Sequence, residues 1–214
     1  MPTIRIDDAA HSQTPTLLGL NLVWSKPAKA AIKTILARYP SNQSRSATIP
    51  LLHLAQREFG GWLSVDAMQL VAETLNLPYI RVYEVATFYT MFNLQPVGKY
   101  HVQVCTNCAC MVRGSDAIVK AVKDQTGITH LNDHHQGHSA CGTFTLTEVE
   151  CLGACVDAPM MQITSTNGSS HYYTKLTAKS TQQILKDLKA KGQSTAIDTQ
   201  PAKPDPITGG DYAS

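Results

Sequence analysis

Five of the six cysteines in this 214-residue chain fall in two short runs. The first is Cys105-Thr-Asn-Cys108-Ala-Cys110, and the second is Cys151-Leu-Gly-Ala-Cys155. Thiolates are soft ligands, and four of them gathered at two loops suit zinc, copper(I) or an iron–sulfur centre. A C-x4-C pair can wrap part of a 2Fe–2S core; here that pair is Cys105 and Cys110, and the C-x3-C pair Cys151 and Cys155 supplies the other two thiolates. Gly153 lets the second loop bend closely around such a core, and amides at a helix start near Ser115 would favour its negative charge. Spacing leaves two other chemistries open. Cys105 and Cys108 form a C-x-x-C in the position of a thioredoxin-like dithiol, although that chemistry needs no second pair elsewhere. A structural zinc site also takes four thiolates, usually at C-x2-4-C spacings.

Both runs must be held by strands and helices, and the hydrophobic period says which. Residues 1–24 keep no sustained period and read as a flexible or partner-bound lead-in. Ser25 precedes a helical pattern reaching Tyr39, with Pro27 in its first turn and Ala31, Ile32, Ile35 and Leu36 on one face. A second helix is expected over residues 50–59, stopped by Gly60 and Gly61. Ser64 caps a third, which Pro78 ends, and Pro78 opens a fourth that reaches Phe92. At Tyr100 the period becomes two: Tyr100, Val102 and Val104 alternate with His101 and Gln103, as in a half-buried strand. A helix over 115–125 follows, then a polar loop over 127–142. Phe144 and Leu146 start a second strand that runs into Cys151. Residues 160–163 and 172–173 give two more strands around the hairpin signal Asn167-Gly168. An amphipathic helix over 177–190 closes the series, and the Pro- and Thr-rich residues 193–214 read as a disordered tail. The expected fold is α+β: an N-terminal helical bundle over 25–97, then a thioredoxin-like α/β domain over 98–192 carrying the cysteines.

Two stretches carry a family resemblance. Residues 82–92, Val-Tyr-Glu-Val-Ala-Thr-Phe-Tyr-Thr-Met-Phe, continue toward Val104-Cys-Thr, and residues 148–160 read Glu-Val-Glu-Cys-Leu-Gly-Ala-Cys-Val-Asp-Ala-Pro-Met. Together they resemble the thioredoxin-like 2Fe–2S subunit of the NADH-oxidising module of respiratory complex I, over about residues 30–192. The resemblance implies one 2Fe–2S cluster on Cys105, Cys110, Cys151 and Cys155 that exchanges single electrons with FMN. It also implies a larger partner subunit that carries the FMN and the NADH site, within the peripheral arm of the complex. The same module serves NAD-linked hydrogenases and formate dehydrogenases, and a zinc-stabilised interaction module is the alternative from another class. Cys108 departs from the family, which commonly has a small uncharged residue or Pro there, and Cys141 lies in a variable loop; both read as free thiols. His130, His134, His135 and His138 in that loop read as solvated rather than as a metal site.

Composition excludes several functions. The formal net charge is +2, from 18 basic and 16 acidic residues scattered along the chain, so no nucleic-acid footprint stands out. No G-x-G-x-x-G and no G-x-x-x-x-G-K-[ST] occurs, so no nucleotide cradle is expected on this chain. Glu148 and Glu150 read as a solvated strand face, and Asp157 as a shaper of the turn before Pro159. No catalytic constellation appears, and the chain is expected to be one part of an enzyme rather than catalytic alone. No run is apolar enough to span a bilayer, and Asp7 and Asp8 argue against a leader. The expected location is cytoplasmic, peripheral on the inner face of the cell membrane through the complex, or on the matrix side if mitochondrial.

Overall fold

A computed structural model describes residues 15–191 and 200–201. The described chain divides near residue 97 into a helical unit and a mixed α/β unit, each with its own core. Most of the expected lead-in and tail lie outside the described residues.

The helical unit contains α1 (Lys26–Leu36), α2 (Thr48–Glu58), α3 (Val65–Leu75) and α4 (Tyr79–Phe88). Ser25 and Ser64 cap α1 and α3 by accepting the N–H of Ala28 and Ala67; each cap satisfies a donor that the helix cannot. α3 ends at Asn76 in the left-handed conformation, φ 53°. Ile35, Leu51, Leu52, Met68, Val71 and Val82 meet in the core without solvent contact.

α4 stops four residues short of the Phe92 that periodicity suggests. Tyr89 turns extended, and the chain folds back so that Phe92 and Leu94 enter the core. Asn93 fixes this return: its N–H donates to Gln56 Oε1 at 2.7 Å and its Nδ2 to the Gly61 carbonyl at 2.8 Å. Tertiary anchors override the local preference for helix.

The mixed unit is built on β1 (Tyr100–Cys105), α5 (Cys108–Val112), α6 (Ser115–Thr126), β2 (Gln136–His138) and β3 (Phe144–Val149). It continues with β4 (Met161–Ser165), β5 (Ser170–Tyr173), α7 (Ala178–Lys191) and β6 (Gln200–Pro201). The sheet order is β2-β3-β1-β4-β5-β6. β1 and β3 run parallel, with Tyr100 opposite Phe144 and Cys105 opposite Val149; β4 pairs antiparallel on the other side of β1. Side chains alternate between the faces of a strand, so Tyr100, Val102, Val104, Phe144, Leu146, Met161 and Ile163 all face the core shared with α6 and α7. His101, Gln103, Thr145 and Thr147 occupy the other face.

β1 is therefore a central strand rather than a half-buried one. His101 on its polar face is also buried, with Nε2 2.8 Å from Thr147 Oγ1. Within the expected polar loop over 127–142 lies β2, which pairs with β3. It has no apolar alternation to announce it. Gly137 at its centre passes so close to the His130 carbonyl that any Cβ would collide with it. Gln200 and Pro201, inside the expected tail, extend the sheet beside β5.

Candidate metal centre

Parallel pairing of β1 and β3 brings the C-terminal ends of both strands to the same end of the sheet, and each strand leads into one cysteine loop. Thr106 ties the loops together: its N–H donates to the Val149 carbonyl at 3.0 Å and its hydroxyl to the same oxygen at 3.3 Å. Cys105 N–H is held by the Met160 carbonyl at 3.2 Å. After Cys105, Asn107 caps the short helix α5 through the Cys108 N–H at 2.7 Å. That turn directs Cys110 inward, where it is buried, and leaves Cys108 exposed.

The four expected ligands form one interacting set of two pairs. Burial pushes the Cys110 thiol up to about 11, with its hydrogen bond to Cys105 and the charges of Cys105 and Cys155 adding to the rise. The Cys155 thiol is also raised, chiefly by its hydrogen bond to Cys151 and then by the charge of that group. So Cys105 stands beside Cys110, Cys151 beside Cys155, and the pairs face each other through Cys105 and Cys155. Neither Cys108 nor Cys141 enters these interactions. Among the described residues, no three His, Cys, Asp or Glu side chains converge on one ion. Two pairs of thiols, one on each loop, can hold two metal ions with two protein thiolates apiece or, as in a zinc ribbon, a single zinc, so the pairing by itself serves both chemistries. The dithiol alternative fares worse, because the thiol next to Cys105 is Cys110 and not Cys108.

The surroundings suit a group with soft ligands and limited water. Cys105 and Cys110 pack with Ala158 and Met160, and Ala109, Leu152, Ala154 and Tyr172 close around them. Gly153 adopts φ 78°, a conformation that glycine takes without strain, and its N–H points to Cys151 Sγ at 3.4 Å. Asp157 shapes the following turn: its carboxylate pairs with Lys175 at 3.1 Å and its carbonyl accepts the Lys175 N–H at 2.7 Å. Glu148 pairs with Lys123 of α6 at 3.6 Å; it follows Phe144 and Leu146 on the helix-covered face of β3 and is half-buried at its edge, not on the solvated face that the sequence suggests. His130, His134 and His135 are exposed, while His138 Nδ1 lies 2.9 Å from Thr145 Oγ1.

Three features went unread in the sequence. α5, only five residues long, separates the first loop from α6, so the amides near Ser115 begin a helix one element later than the cysteines suggest. Met111, Val112 and Val156, next to or one residue beyond the expected ligands Cys110 and Cys155, are exposed apolar side chains, the last two by 82% and 84%. Tyr172 reaches the second loop, its hydroxyl donating to the Leu152 carbonyl at 3.1 Å. A signal for it existed: consecutive tyrosines on a strand must face opposite sides, so only one of Tyr172 and Tyr173 can serve the helix-covered core.

Comparison with known proteins gives a consistent picture. Residues 32–189 match the thioredoxin-like [2Fe-2S] ferredoxin family. A subunit of NADH-quinone oxidoreductase from Rickettsia prowazekii (strain Madrid E) is 48% identical over 166 residues, covering 76% of this chain and 88% of that protein. The same subunit from Rickettsia bellii (strain RML369-C) is 46% identical over 169 residues, covering 79% and 95%. Among solved structures, a chain of the NAD+-reducing [NiFe]-hydrogenase in its air-oxidized state superposes with a TM-score of 0.55 at 19% identity, over 72% of this chain and 24% of that one. At that identity the likeness concerns the fold.

Proposed function

The chain belongs to the thioredoxin-like [2Fe-2S] ferredoxin family, and from that premise we propose that Cys105, Cys110, Cys151 and Cys155 are the ligands of its one 2Fe–2S cluster. With 48% identity to a curated subunit of NADH-quinone oxidoreductase over most of both chains, it is a 2Fe–2S electron-transfer subunit of that complex. The observation that carries the ligand reading is the pairing of four thiols across two loops at neighbouring parallel strand ends. When bound, the cluster supplies one-electron transfer. The chain's own residues position the thiolates, exclude water from the Cys105–Cys110 side and leave Cys151 and Cys155 at the surface.

The finer reading of partner and place rests on the resemblance to complex I, and that surface supports where the partner docks. Electrons come from FMN on the NADH-binding subunit, which docks over Met111, Val112 and Val156 beside the exposed thiol pair. Apolar side chains left open next to a redox centre favour a partner that covers them. The helical unit offers a second apolar surface at Ile80, Phe88, Tyr89 and Met91 for the same peripheral arm. No helix among the described residues is long and apolar enough to cross a membrane. As a subunit of that complex, the chain is proposed to sit in the peripheral arm, on the inner face of the cell membrane, or on the matrix side if mitochondrial.

Serine substitutions test the ligand reading. Cys105→Ser, Cys110→Ser, Cys151→Ser and Cys155→Ser should each lose or strongly alter the paramagnetic signal of the dithionite-reduced protein, whereas Cys108→Ser and Cys141→Ser should keep it. Loss of signal in Cys108→Ser with an intact signal in Cys110→Ser would overturn the assignment. The purified chain alone should show no NADH:ferricyanide activity.

A further inference from the structure

Tyr172 and Cys151 are connected through a single peptide group. Tyr172 donates its hydroxyl hydrogen to the Leu152 carbonyl oxygen at 3.1 Å. The N–H at the other end of that peptide, on Gly153, donates to Cys151 Sγ at 3.4 Å. A trans peptide is planar and its C=O and N–H point in opposite directions, so a donor that fixes the oxygen also aims the N–H. Without such a donor, a peptide followed by glycine at φ 78° can turn over at little cost. Tyr172 is itself well held: β5 pairs it with Gln162, and its ring packs against the group formed by Cys105, Cys110, Ala158 and Met160.

The same chain of bonds has an electronic effect. Donation to a carbonyl polarises the amide and strengthens its N–H as a donor. Hydrogen bonds to cluster sulfurs are one of the means by which a protein sets reduction potential, because they stabilise the more negative, reduced form. We propose that Tyr172 is a positioning residue that raises the reduction potential of the cluster by aiming and polarising the Gly153 N–H toward Cys151 Sγ. The proposal rests on the reading of Cys151 as a ligand.

The test uses the full-length, cluster-loaded protein poised at the potential where the unaltered chain is half reduced, at neutral pH, with the reduced fraction read by electron paramagnetic resonance. Tyr172→Phe keeps the ring and removes the donor; its reduced-to-oxidised ratio should fall about threefold, a fraction of one hydrogen bond's worth. Incorporating 3-fluorotyrosine at position 172 keeps the shape and makes the hydroxyl a stronger donor; the ratio should rise. Equal ratios in all three proteins overturn the proposal. So does a fall with both substitutions, since that would report disturbed packing rather than donation. If Tyr172→Phe does not hold the cluster, the fluorinated protein decides alone, and the absence of a rise overturns the proposal. Cys151→Ser, measured alongside, separates the two readings. An unchanged spectrum there removes the ligand assignment and the proposal with it. An altered spectrum with unmoved Tyr172 ratios removes the proposal only.

Discussion

Cys141 stands apart from the four paired thiols and has a chemistry of its own. The Thr143 and Ser139 hydroxyls lie 3.3 and 3.6 Å from its sulfur and donate to the thiolate, so its pKa is lowered to about 7, with Lys189 adding a smaller pull. Thiolates, not thiols, are the nucleophiles. Alkylation at Cys141, followed by peptide mass spectrometry, should therefore rise with a midpoint near pH 7. Thr143→Val should shift that midpoint upward and slow the reaction at neutral pH several-fold; an unmoved profile would separate the acidity from Thr143. The sequence shows Cys141 as a free thiol in a polar loop but not its acidity, which depends on a turn closed by the Gly142 N–H on the Ser139 carbonyl. Spacing likewise leaves Cys108 and Cys110 as competing neighbours of Cys105. The capped turn of α5 separates them by turning one outward and the other inward.

Helix α4 divides its apolar residues between the core and, on the docking reading proposed above, a second task at the surface. Val82 and Ala86 are buried in the helical core, while Ile80 and Phe88 are exposed, Phe88 by 76%. Its sequence is apolar on nearly all sides, which announces that every side is to be covered but not by what. Phe92, placed on the same helix by periodicity, belongs to the core instead. Substitutions should separate the tasks. Val82→Ala should cost about 2 kcal/mol in urea unfolding by leaving a cavity. Phe88→Ala should stay within about 0.5 kcal/mol of the parent yet weaken co-purification with the flavin-bearing subunit. Equal destabilisation by both would mean that Phe88 is part of the fold rather than of an interface. Capped or strongly periodic elements such as α1, α3, α6 and β3 were legible because local preference and tertiary packing agree. α5 and β2 were not, since five and three residues hold too little pattern, and their partners lie far along the chain.

At the scale of the whole chain, acid should unfold the mixed unit through a group unrelated to the cysteines. Burial of His101, with the charge of His138 adding to it, lowers its pKa from 6.5 to about 4. Between those values the unfolded chain takes up a proton that the folded chain refuses, so stability falls as pH drops through this window and is unaffected by this group above it. The full loss by pH 4 is about 3 kcal/mol, at about 1.4 kcal/mol per unit. Urea unfolding at pH 7 and at about pH 5 should show part of it, and His101→Gln should flatten the difference; an equally steep loss in that variant would point to other groups. The parallel pairing of β1 with β3 has a consequence in time. Cys105 and Cys110 are synthesised well before Cys151 and Cys155, with the whole crossover through α6 and β2 between them. At about 5–20 residues per second, a growing chain carries the first two thiols for some seconds before the others exist. With all four cysteines as ligands, as proposed above, the site cannot be loaded in that interval, so its maturation waits on the completion of the chain beyond Cys155, and the first thiols must be kept reduced until then.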